Sequence, residues 1–67
     1  MVDTLKLKGK IVERGTSIKE LAKEFGISAY QFGRKINNLA EMSLREAEFL
    51  QQKLNIPDKE FGLFYLQ

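Results

Sequence analysis

Ser17-Ile18-Lys19-Glu20-Leu21-Ala22-Lys23-Glu24-Phe25-Gly26-Ile27-Ser28, continuing as Ala29-Tyr30-Gln31-Phe32-Gly33-Arg34-Lys35-Ile36, is the stretch on which the fold turns. Ser17 suits a helix N-cap, and Glu20 three residues later predicts a capping box that satisfies two amides a helix start leaves unpaired. Ile18, Leu21, Ala22 and Phe25 recur at helical spacing and form one apolar stripe, with Lys19, Glu20, Lys23 and Glu24 on the other side. Gly26 ends that helix, because only glycine enters the left-handed conformation without a steric penalty. Ser28 caps the next helix, in which Phe32 and Ile36 face inward and Ala29, Tyr30, Gly33, Arg34 and Asn37 face outward. Two short helices around a tight glycine turn, over about residues 17–37, are the pattern of a helix-turn-helix.

Upstream, Leu7 and Ile11, with Leu5 and Val12 beside them, predict a first helix from Thr4 to Arg14 that stops at Gly15. Downstream, Asn37 and Asn38 end the third helix, and Ser43 with Glu46 repeats the capping-box pattern for a fourth. Leu44, Ala47, Leu50, Gln51 and Leu54 mark the inner stripe of that fourth helix. Pro57 interrupts the chain, Asp58 caps a short fifth helix to about Gly62, and an extended tail is expected over about residues 62–67. The expected fold is therefore all-α: one domain, a compact bundle of about five short helices with a central helix-turn-helix, then a short tail.

Sixty-seven residues allow one small core and no second domain. Cysteine and histidine are both absent, which removes disulfides, thiolate metal ligands and the commonest catalytic base. No paired carboxylates or glycine-rich phosphate loop compensate, so no catalytic residue, metal, cofactor or small-molecule substrate is expected. No apolar run approaches the ~20 residues of a membrane span, and a cytoplasmic setting is the expectation.

The net charge is +2, unevenly spread. Residues 1–35 carry eight basic and four acidic side chains, or +4, and the remainder three basic and five acidic, or −2. The basic half contains the helix-turn-helix. Such asymmetry suits a polyanionic partner on one side of the molecule, with a solvated lysine-rich surface as the alternative.

The run from Leu7 to Ile56 resembles the Cro and repressor-type helix-turn-helix family of phages and mobile elements, the lambda-repressor-like fold. Ala22, Gly26, Ile27 and Phe32 stand where that family has its small residue, its turn glycine and the apolar residues behind and within the recognition helix. Leu44 to Ile56 is similar to its fourth helix and exit. The resemblance implies a transcriptional regulator that binds double-stranded DNA, with the third helix in the major groove and two copies on a near-palindromic operator. It further implies that Ser28, Ala29, Tyr30 and Arg34 meet base edges, while Ser17, Gln31, Lys35, Asn37 and Asn38 meet the phosphate backbone.

The chain departs from the family pattern at three places. Ile18 stands where many relatives carry a phosphate-clamping glutamine. The loop Asn38-Leu39-Ala40-Glu41-Met42 has one acid and no base, and Ile36, with Lys35 beside it, fills the late apolar position of the third helix. The C-terminal residues Phe64, Tyr65 and Leu66, with Phe49 on the polar side of the fourth helix, are candidates for a homodimer interface or for covering the core. An alternative function in the same fold is that of an antirepressor, which would bind a partner repressor through this tail.

Overall fold

The computed structural model describes residues 2–64, with side chains as far as residue 62. Five helices follow in order: α1 (Thr4–Glu13), α2 (Ile18–Phe25), α3 (Ala29–Ile36), α4 (Leu44–Lys53) and α5 (Asp58–Phe64). The expected all-α bundle is what forms. None of these helices is long and apolar enough to cross a membrane.

Short polar side chains start the first four helices. Asp3 accepts from the Lys6 amide, Ser17 from Glu20, Ser28 from Gln31 and Ser43 from Glu46, all at 3.1–3.2 Å. Only Ser43 has the full reciprocal box, its own amide donating to Glu46 Oε1 at 2.7 Å. The box expected at Ser17 is half-formed, because the Thr16 hydroxyl donates to the Glu20 carboxylate instead, at 3.2 Å.

The same four helices end alike. An amide five residues on returns to a carbonyl of the last turn: Thr16 to Ile11, Ile27 to Ala22, Leu39 to Arg34 and Ile56 to Gln51. This closure requires a left-handed residue just past the helix. Gly15 (φ 69°) and Gly26 (φ 101°) supply it after α1 and α2, and Asn38 (φ 61°) and Asn55 (φ 53°) after α3 and α4. Asparagine is the non-glycine residue best suited to that region.

Leu7 and Ile11 of α1, Leu21 and Ala22 of α2, Phe32 and Ile36 of α3, and Ala47 and Leu50 of α4 make the centre of the core. Phe25, Phe32 and Phe49 form an aromatic cluster at its edge, with centroids 5.0–6.4 Å apart. Phe49, expected at a dimer interface, is half-buried here and packs on Phe25 and Phe32 of the helix-turn-helix of its own chain.

Leu7 and Ile11 are the buried residues of α1, with Leu5 and Val12 beside them at 83% and 77% exposure. Two further expectations need correction. Leu44 is likewise turned to solvent, and Glu46 takes an inward place on the first turn of α4, drawn in by the Lys35 ammonium and the Ser43 amide. Finally, α5 does not stop at Gly62 but continues to Phe64, so the extended tail cannot begin before residue 65. Tyr65 and Leu66, and the side chain of Phe64, lie outside the described residues.

Candidate nucleic-acid interface

Helix α3 is held on three sides. Its inner face is clamped by Phe32 and Ile36, both wholly buried. At its C-terminal end the Thr4 hydroxyl donates to the Ile36 carbonyl at 2.7 Å. The Asn38 amide donates to the Val2 carbonyl at 2.8 Å and accepts from the Val2 amide at 2.9 Å. The flank is closed by the Lys35 ammonium, which donates to Glu46 on α4. An eight-residue helix is marginal by itself, and these ties make α3 a fixed rod on the body of the protein.

The opposite face of this rod is open. Ser28, Ala29, Tyr30, Gln31, Arg34 and Asn37 are all exposed, Tyr30 to 73%. No acidic residue occurs in α3, and its last turn carries Arg34 and Lys35. Tyr30 and Arg34, one turn apart, meet with the guanidinium carbon 5.9 Å from the ring centroid. Arg34 Nη2 also donates to the Leu39 carbonyl at 2.9 Å. The two side chains therefore stand as a pair at the middle of the exposed surface.

The structure thus brings together the four residues expected to meet base edges, Ser28, Ala29, Tyr30 and Arg34. The residues expected at the phosphate backbone are divided. Ser17 and Gln31 are exposed, Ser17 with its hydroxyl accepting from the Glu20 amide and Gln31 with its own amide donating to Ser28. Asn37 is exposed, but its side-chain amide folds back on the Gly33 carbonyl at 2.9 Å. Asn38 is bonded to Val2 and to the Thr4 hydroxyl, and Lys35 to Glu46, so both also hold the fold together.

Burial alone would push the Glu46 carboxyl above its ordinary value of 4.5. Hydrogen bonds from Lys35 and from the backbone and hydroxyl of Ser43, with the Lys35 charge, outweigh burial and hold it below that value. The Glu46 carboxyl is accordingly ionised at neutral pH.

Leu39 is the site residue that the sequence pattern did not single out. Its carbonyl anchors Arg34, and its side chain is 64% exposed beside the open face of α3. The signal was the paired asparagine stop at residues 37 and 38, which reverses the chain and lays the following carbonyl over the last turn of α3.

Gly33 also lies on this helix. A Cβ placed there would meet nothing within 4 Å, and its φ is not positive. Nothing in the protein's own packing demands glycine there, although glycine in a helix interior is about 1 kcal/mol worse than alanine. Among the described residues no group of three or more acidic, histidine or cysteine side chains is arranged to hold a metal. In comparisons with protein-family models, with curated proteins and with solved structures, the chain matches none.

Proposed function

We propose that this chain is a sequence-specific DNA-binding regulator of the lambda-repressor-like kind, with α3 entering the major groove. The observation that carries this reading is the contrast between the two faces of α3. One is buried without remainder, and the other presents Tyr30, Gln31 and Arg34 with no acid among them. A cationic face on a rigidly seated helix suits a groove that displays acceptors between two rows of phosphates. Ser17 and Ser28 place the starts of α2 and α3 at the surface, where helix N-termini favour phosphate oxygens.

Two copies are part of the proposal. The molecule is 29 Å along its longest axis, whereas successive half-sites on one face of DNA are ~34 Å apart. One copy reads one half-site, and a two-fold pair reads a palindrome.

The reading predicts that Arg34→Ala lowers discrimination at one base position by about 1–3 kcal/mol while leaving the others unchanged. Affinities for a panel of single-base operator variants test it. An unaltered preference at every position would remove Arg34 from base reading. It also predicts that affinity falls steeply with added salt, because the slope counts the phosphates neutralised.

Gly33→Ala separates folding from binding. Thermal unfolding of this variant should show a gain of roughly 1 kcal/mol, the helix-propensity difference. Its operator affinity should fall, because a methyl group now stands between the helix backbone and the groove. Stabilisation without any loss of affinity would mean that the duplex does not approach α3 at Gly33.

A further inference from the structure

We propose that Tyr30 and Arg34 act as one reading unit that selects a guanine adjoining a thymine. The proposal rests on the DNA-binding reading above and adds which bases the unit takes. Arg34 is fixed before any ligand arrives, by the Tyr30 ring on one side at 5.9 Å and by the Leu39 carbonyl at 2.9 Å. The carbonyl takes one of the five N–H donors of a guanidinium, which leaves a planar fork free along its outer edge. Guanine matches that fork, since O6 and N7 are adjacent acceptors in the major groove. Fixing the side chain in advance lowers the cost of immobilising it on the DNA.

Tyr30 decides the neighbour. Its ring is 73% exposed and contributes nothing to the core, so folding does not explain its place. With Arg34 in the plane of a guanine, a ring one turn earlier and 5.9 Å from the guanidinium carbon lies towards the next base pair. The apolar group that base pairs display in the major groove is the thymine methyl. The ring edge packs against it. Cytosine has no such methyl, and a lysine in place of Arg34 would neither stack nor fork. The Leu39 anchor is a main-chain oxygen, so the unit survives changes to the Leu39 side chain.

The test begins with duplexes enriched from a random library by the full chain. In the best duplex, each guanine is replaced in turn by 7-deazaguanine, which lacks the N7 acceptor, and each thymine by deoxyuridine, which lacks the methyl. Parent protein should lose about tenfold in affinity at one guanine and severalfold at one adjoining thymine. Tyr30→Phe should keep both penalties. Tyr30→Ala should lose the deoxyuridine penalty, and Arg34→Ala the 7-deazaguanine penalty. Both residues are exposed, and circular dichroism checks that each variant is folded. If parent protein binds an enriched duplex but is indifferent to both replacements, or if Tyr30→Ala retains the methyl penalty, the unit is wrong while DNA binding stands. If no duplex is enriched, both the unit and the DNA-binding reading fall.

Discussion

Phe32→Ala is expected to unfold the domain at room temperature. Phe32 is wholly buried, and its ring lies 6.2 Å from that of Phe25 and 6.4 Å from that of Phe49, so it joins α2, α3 and α4 at one point. Truncating a buried phenylalanine to alanine costs about 3–5 kcal/mol. A core in a chain this short rarely supplies more than about 3–5 kcal/mol in total, so the loss is comparable to the whole stability. Far-ultraviolet circular dichroism and urea titration measure it. A cooperative transition with a midpoint close to that of the parent would show that the core does not depend on this ring. Tyr30→Ala, two residues earlier, is the matched control. Its side chain is exposed, and its substitution should leave the urea midpoint within about 0.5 kcal/mol of the parent.

Lys35→Ala is expected to cost about 2 kcal/mol at neutral pH, chiefly by leaving Glu46 charged without its main partner. Removing one member of a buried ion pair costs about 3–5 kcal/mol. The Glu46 side chain is 5% exposed but that of Lys35 is 24%, and Ser43 still donates to the carboxylate, so a lower figure applies. The pH dependence follows from the direction of the Glu46 shift. Its folded-state pKa lies below the ordinary 4.5. The stabilisation is therefore complete above that value and is lost as pH falls through the folded-state pKa. Lys35→Ala removes the Lys35 part of that linkage and leaves the part that Ser43 supplies. The stability gap between parent and variant should be widest near neutrality and narrow once the pH is well below 4.5. Urea titrations across the acid range measure the gap. A gap that stays constant with pH would show that the pair is not the source of the loss.

The same substitution bears on function through position. Lys35 and Glu46 join the end of α3 to the start of α4, on either side of the loop that carries Leu39. Lowered stability together with weakened DNA binding in Lys35→Ala is the pattern expected of a loosened α3, and weakened binding at unchanged stability is that of a lost phosphate contact.

Much of this architecture is legible in the sequence, because the relevant forces are local. Ser17, Ser28 and Ser43 each precede an apolar periodic run, and Gly15 and Gly26 each follow one; the structure starts and stops helices at those places. Asn55 does for α4 what Asn38 does for α3, yet only the asparagine pair at 37 and 38 stands out in the sequence, since Pro57 draws attention past Asn55. What periodicity could not decide was which of two neighbouring apolar positions faces inward. Val12 follows Ile11 by one residue, and the difference between burial and exposure is a rotation of 100° about α1, set by where α5 and α2 lie.

The open face of α3 was legible for the same reason that it is simple. It is the complement of Phe32 and Ile36 on an eight-residue helix. The roles of Lys35, Asn38 and Phe49 were not legible, because each depends on a partner from another helix or from the N-terminal segment: Glu46, Val2 with Thr4, and Phe25 with Phe32. Polar side chains near an expected binding surface look alike in sequence whether they turn outward to a ligand or inward to a tertiary contact. Aromatic residues on a mostly polar helix face are equally ambiguous, and Phe49 meets the rings of Phe25 and Phe32 while remaining half-buried.

The most direct test of the central claim, that α3 reads double-stranded DNA, is selection of bound sites from a random duplex library followed by titration of the best site at two salt concentrations. The expected result is a palindromic site bound at least ~10³-fold more tightly than random DNA, with affinity falling steeply as salt is added. Weak binding that is indifferent to sequence would contradict it.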